Sequence, residues 1–246
     1  MRTTFLFDLD GTLVPLDQDE FIRGYFRLLV PELAPYLAPE QIPDAIMKAT
    51  YYMINDLSTT RTNREAFVHD FSKRVSGDVE ELMELFERFY RGKFAQLKSL
   101  VTPVDEITAI VRTLQEKGYD LVCATNAIFP LSAIETRLSW VGLTASDFIF
   151  ITSFENMHFC KPHIEYYYET LEKINRNPQE CFMVGNDVEE DMIAGQLGIE
   201  TFLVTNYLIH RGSGIKPDHK GTYADLLEFV RGLPDVSLDE TGSAAV

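Results

Sequence analysis

Four short stretches of this 246-residue chain carry side chains able to do chemistry. Near the start, Asp8-Leu9-Asp10-Gly11-Thr12 sets two carboxylates two residues apart at the end of an apolar run. Thr125-Asn126 closes a second run and Lys161 stands before Pro162. Gly185-Asn186-Asp187 closes a third, with Asp191 following. These residue types offer carboxylates that are charged near neutral pH, a hydroxyl, amide groups and one ammonium. Carboxylates can attack an electrophile, carry a proton or ligate a hard cation. An isolated Asp-Gly is equally an ordinary turn pair. What separates these readings is whether the four stretches meet in space.

They meet if each closes a strand of one sheet. Residues 3–7 read as a strand of β-formers stopped by Asp8 and Gly11. From Asp17 to about residue 100 the rhythm is helical, with apolar faces at Phe21, Ile22, Tyr25, Phe26, Leu28 and Leu29, ended by Pro31, and at Ile46, Met47, Tyr51, Met53 and Ile54. A further helix starts at Asp78 and runs through Leu82, Met83, Phe86, Phe89 and Tyr90. After Pro103, helix and strand alternate. Helices are expected at 104–117, closed by Gly118, then at 131–140, 164–174, 189–197 and 223–231. Strands are expected at 119–124, 148–152, 181–184 and 201–204. That alternation predicts an α/β fold, a doubly wound parallel sheet of Rossmann-like form. The core would comprise residues 1–15 and 101–234, a helical block would be inserted at 16–100, and 235–246 would be a polar, disordered tail. In such sheets ligands gather at the carboxyl ends of the strands, where the four stretches lie.

This ordered set resembles the haloacid dehalogenase-like hydrolase superfamily, whose members are mostly magnesium-dependent phosphatases. The helical block resembles that superfamily's cap, inserted between its first and second motifs. The resemblance implies Asp8 as a nucleophile that attacks phosphorus to form an aspartyl-phosphate, and Asp10 as the acid that protonates the leaving oxygen and then activates water. It implies Thr125, Asn126 and Lys161 as the groups that hold the phosphate, with Gly11 and Thr12 shaping the loop. Magnesium would be held by Asp8, the backbone carbonyl of Asp10, and an acid of the last stretch. There Gly-Asn-Asp departs from the usual pattern: either Asp187 or Asn186 can take the ligand position. Asp187 is preferred because a carboxylate attracts a divalent cation more strongly than an amide, which leaves Asn186 and Asp191 in support. Cys160 also precedes Lys161 where Gly is common in the family.

Composition restricts the alternatives. Thirty-eight acids against 22 bases leave a net charge of −16, which opposes wrapping nucleic acid. It still permits a small anion whose charge a metal offsets. No apolar run is long enough to span a bilayer, and no signal-peptide pattern opens the chain, so a cytoplasmic enzyme is expected. Cys123, Cys160 and Cys181 are odd in number and widely spaced, without disulfide or zinc patterning. The five histidines lack ligand spacing, and only His163, near Lys161, could reach the site. Arg61 and Arg64 interrupt the apolar helical block; they read as a solvated loop or as contacts to a substrate's remote group. The expected substrate is a small phosphorylated metabolite. A phosphomutase of the same family and a non-catalytic sensor of a phosphorylated ligand are the alternatives; substrate identity and oligomeric state are not readable from the residues.

Overall fold

The computed structural model describes residues 1–236, so the expected tail falls, beyond Val236, outside the described residues. β1 (Thr4–Phe7) is four residues long and buried throughout. Its side chains alternate between two layers. Phe5 and Phe7 join one apolar cluster, whereas Leu6 packs with Tyr166, Tyr167 and Met183 on the opposite face. A strand covered on both sides needs a continuous apolar run, and Thr-Phe-Leu-Phe supplies one.

Four helices follow: α1 (Gln18–Leu33), α2 (Ile42–Asn55), α3 (Asn63–Phe71) and α4 (Val79–Arg91), then a 3-10 segment, Lys93–Leu100. The Asp17 side chain caps α1 by accepting the Glu20 N–H (2.9 Å). Their inward faces meet in an aromatic cluster of Phe21, Tyr25, Phe89, Tyr90 and Phe94, which reaches Phe129 beyond the block.

The remaining elements are α5 (Asp105–Glu116), β2 (Asp120–Cys123), α6 (Leu131–Trp140), β3 (Phe150–Ile151), α7 (Ile164–Ile174), β4 (Cys181–Gly185), β5 (Glu200–Val204), β6 (His219–Gly221) and α8 (Tyr223–Gly232). All strand pairs are parallel, in the order β3-β2-β1-β4-β5-β6. The chain therefore moves outward from β1 in one direction, returns, and continues from β4 in the other. The doubly wound sheet read from the alternation is present, and its order reverses between β1 and β4. Helices leaving those two strands on opposite sides open a crevice there.

Local expectations differ in four places. α3 was not named as a separate helix, and its first residues, Asn63 and Arg64, fall in the stretch read as a solvated loop; Thr62 and Glu65 cap its start reciprocally, a pattern the residues did contain. α1 runs through Pro31 to Leu33, because the buried Leu33 side chain anchors a last turn that needs few further N–H donors. The helix expected at 189–197 is a turn followed by a short 3-10 segment, Met192–Leu197, since the Asp187 carboxylate takes the Glu189 and Glu190 N–H groups. β6 was not expected at all; its three residues are polar and it pairs only at the sheet edge.

Phe5 is fully buried and stacks on Phe182 with ring centroids 4.5 Å apart. Phe5→Ala is expected to destabilise the fold by about 3–5 kcal/mol, read as a lowered urea midpoint with an unchanged slope.

Candidate active site

Asp8 is the first residue beyond β1, and its N–H donates to the Val184 carbonyl of β4 (2.9 Å), so it sits where the strand order reverses. Its Oδ1 accepts a hydrogen bond from Lys161 Nζ at 2.9 Å. The same ammonium donates to Asp191 Oδ1 at 2.6 Å, and the Lys161 side chain is wholly buried. Burial alone would favour the neutral amine, but Asp191 and Asp8 outweigh it and hold the Lys161 pKa well above the ordinary lysine value. The chain thus brings together residues 8, 161 and 191, separated by up to 183 positions, around one positive charge.

Asn126 brackets the lysine. Its Oδ1 accepts the Lys161 N–H (3.2 Å), and its Nδ2 donates to the Lys161 carbonyl (3.3 Å) and to Glu190 Oε2 (3.0 Å). Its amide, expected on the phosphate, is engaged in positioning Lys161. Thr125 lines the cavity over the crevice, while its carbonyl accepts the hydroxyls of Thr152 and Tyr166, each at 2.8 Å.

The Gly11 turn has φ of +82°, and a Cβ there would lie 2.3 Å from Asn186 Nδ2. Thr12 donates its hydroxyl to Asn186 Oδ1 (3.0 Å), and Asn186 Nδ2 donates to the Tyr207 carbonyl (2.7 Å). Asn186 therefore stitches the loop after β1 to the loops after β4 and β5. The Asp187 carboxylate accepts from the backbone N–H groups of Glu189 and Glu190 and pairs with Arg211 at 2.7 Å. Asp191 Oδ2 accepts the Asp187 N–H at 3.0 Å. Burial, reinforced by the Asp187 charge, pushes the neighbouring Glu190 carboxyl up to about 7.

Asp10 faces the same cavity and forms an ion pair with Arg137 of α6. Its Oδ1 is buried and has no hydrogen-bond partner among the described residues. Burial raises the Asp10 pKa above the usual carboxylate range; Arg137 opposes this and Asp8 adds to it. His163 is the residue that precedes α7 and does not line this cavity. Arg61 pairs with Asp56 at 2.7 Å, whereas Arg64 reaches the cavity wall and pairs with Glu80 at 3.0 Å. All three cysteines are free and buried.

Residues 3–198 match the family model described as haloacid dehalogenase-like hydrolase. This chain belongs to the haloacid dehalogenase-like hydrolases. It is 26% identical to the pyrophosphatase PpaX of Bacillus mycoides strain KBAB4, over 88% of this chain and 90% of that protein. It is also 26% identical to a phosphoglycolate phosphatase of Agrobacterium fabrum strain C58, over 81% of this chain and 79% of the relative. The crystal structure of a HAD phosphatase from Thermococcus onnurineus superposes with a TM-score of 0.60 at 19% identity, covering 96% of this chain and all (100%) of the other. A 2-haloacid dehalogenase from Pseudomonas syringae gives 0.59 at 20% identity, covering 94% and 98%. At such identities the structures speak for the fold alone.

In this hydrolase, Arg137 is, with Arg211, a site residue that sequence reasoning missed. Its signal was a lone arginine on the otherwise apolar face of α6 formed by Ala133, Ile134 and Leu138. It is fully buried, donates Nε–H to the Ala133 carbonyl (3.2 Å), and lies 4.5 Å from the Phe129 ring centroid. Arg137→Met removes the charge while keeping the bulk, and is expected to destabilise the fold by about 3 kcal/mol because the Asp10 carboxylate loses its counter-charge. Adding Asp10→Asn should recover part of that loss, giving a non-additive cycle in urea denaturation.

Proposed function

We propose that this chain is a magnesium-dependent phosphatase that transfers the phosphoryl group of a small phosphate monoester to Asp8 and then to water, with the helical block at 16–100 acting as a cap. The observation that carries the reading is the Asp8 carboxylate held against the buried Lys161 ammonium at the reversal point of the sheet, facing a cavity. An anionic nucleophile and an anionic phosphate repel, and a fixed ammonium beside them lowers that repulsion.

In the first half-reaction an Asp8 oxygen forms a bond to phosphorus as the bond from phosphorus to the leaving oxygen breaks, and Asp10 passes its proton to that oxygen. Burial shifts Asp10 toward its protonated form, the direction a proton donor requires. In the second, water forms the new oxygen–phosphorus bond, its proton returns to Asp10, and the Asp8 carboxylate is restored. The pairing with Arg137 would hold Asp10 in place for both transfers. Thr125 would donate its hydroxyl to a phosphate oxygen.

Among the described residues no group of three or more His, Cys, Asp and Glu side chains is arranged to hold a metal ion. Mg²⁺ takes one or two carboxylates and keeps several waters, so Asp8, Asp187 and the Asp10 carbonyl form a fitting, all-oxygen set. Asn186 and Asp187 both make bonds of their own, Asn186 with Thr12 and Tyr207 and Asp187 with Arg211, so the preference for Asp187 as the ligand rests on its charge. When bound, the ion would neutralise charge on the phosphoryl oxygens. The relatives named as acting on pyrophosphate and phosphoglycolate support phosphatase chemistry in general. No helix is long and apolar enough to cross a membrane among the described residues, and a phosphorylated small molecule is the expected partner.

With p-nitrophenyl phosphate and Mg²⁺, Asp8→Asn should remove turnover while the circular dichroism spectrum stays native; comparable residual release of phosphate would exclude Asp8 as nucleophile. Asp10→Asn should slow hydrolysis about 10²–10⁴-fold, most for alkyl esters whose leaving oxygen needs the proton. EDTA should stop phosphate release and added Mg²⁺ should restore it.

A further inference from the structure

The cavity over Asp8 and Asp10 has a volume of about 550 Å³, within the range that encloses a drug-sized ligand. That is far more room than a two-carbon acid or a second phosphate requires. Beyond the acids at its floor its wall is made chiefly by apolar side chains of the helical block, among them Phe21, Ile46, Met47, Met83 and Phe86.

The charges on that wall have the wrong sign for a second anion. Glu80, Glu84 and Glu87 of α4 line the cavity, and the one cation of the helical block among the described lining residues, Arg64, donates to Glu80 at 3.0 Å. The other cations near the floor are committed as well, Lys161 to Asp8 and Asp191, Arg137 to Asp10, and Arg211 to Asp187. A carboxylate or a second phosphate carried into this space would lose its hydration without gaining a free donor of opposite charge. An alkyl or aryl group would instead bury apolar surface against apolar walls.

Resting on the phosphatase reading above, we propose that the cavity selects phosphate monoesters whose leaving alcohol is apolar and uncharged, over pyrophosphate and over esters that carry a carboxylate. The phosphate is met at the floor by Asp8, Lys161 and Thr125, and the alcohol points into the space enclosed by α1, α2 and α4. Discrimination against a second anion comes from the glutamates of α4, and affinity for the alcohol comes from buried area.

The test compares kcat/KM of the wild-type chain with Mg²⁺ across ethyl, butyl and hexyl phosphate, whose leaving alcohols have nearly the same acidity. Benzyl against 2-naphthylmethyl phosphate forms an aryl arm, and pyrophosphate and phosphoglycolate form the anionic arm. The expected result is a rise of about fourfold per methylene, a gain on going from benzyl to naphthylmethyl, and slower turnover of both anionic substrates than of hexyl phosphate. The larger gain, per carbon added, identifies an alkyl or an aryl alcohol as the better fit. Met47 is half exposed, so Met47→Arg should fold; it is expected to narrow the preference for hexyl phosphate over phosphoglycolate by about tenfold. A flat or falling alkyl series, faster turnover of either anionic substrate, or an unchanged preference in Met47→Arg overturns this inference. If p-nitrophenyl phosphate is still hydrolysed in that case, the phosphatase reading stands. Release of phosphate from no ester at all overturns both.

Discussion

The structure turns on the ammonium of Lys161. It is excluded from solvent and touches Asp8 on one side and Asp191 on the other. A lone charge in that position would be driven to its neutral form by the loss of hydration; two carboxylates reverse the balance. Each carboxylate supplies part of the compensation, so removing one weakens the arrangement while the other still faces the ammonium. Much of the surrounding hydrogen bonding is explained by that demand. Asn126 holds the lysine backbone from both sides, and Asp191 is held by the Asp187 N–H. Tyr167, behind them, donates its hydroxyl to the Glu190 carbonyl (2.8 Å) and so braces the same turn.

A second buried pair, Arg137 with Asp10, stands a few residues from the first and works in the opposite sense. There the carboxylate is the group that desolvation penalises, and the guanidinium only partly offsets the penalty, so the Asp10 carboxyl stays above its usual range. Two acids two positions apart in sequence therefore occupy different electrostatic surroundings. One shares an ammonium with Asp191, and the other carries a buried oxygen without a hydrogen-bond partner among the described residues, beside an arginine stacked over Phe129.

The helical block and the sheet are not independent in packing. A single apolar cluster runs from Phe5 and Phe182 through Ile110 and Leu114 to Tyr25, Phe86 and Phe94. The aromatic rings of α1 and α4 reach Phe129, which in turn covers Arg137. The walls that enclose the cavity are thus anchored to the residue that positions Asp10. This couples the shape of the cavity to the geometry of the ion pair at its floor.

The four chemical stretches, the strand-ending positions of Asp8, Thr125 and Asp187, and the alternation that makes a doubly wound sheet were legible in the residues. They depend on local period and on turn chemistry, which nearby residues determine. Thr62 and Glu65 show that a cap signal was present even where no separate helix was named. Arg137 and Arg211 were not legible as site residues, because their partners lie 127 and 24 positions away and only chain topology brings them close. Spacing also left the roles of Asn186 and Asp187 open, and the bonds from Asn186 to Thr12 and Tyr207, like the pairing of Asp187 with Arg211, exist only once the loops converge. Sequence alone determined which groups stand at the strand ends, since periodicity and breakers act over a few residues. Which charges pair, which acid is desolvated and what lines the cavity were decided by tertiary packing, because burial and Coulomb energy depend on distances through space.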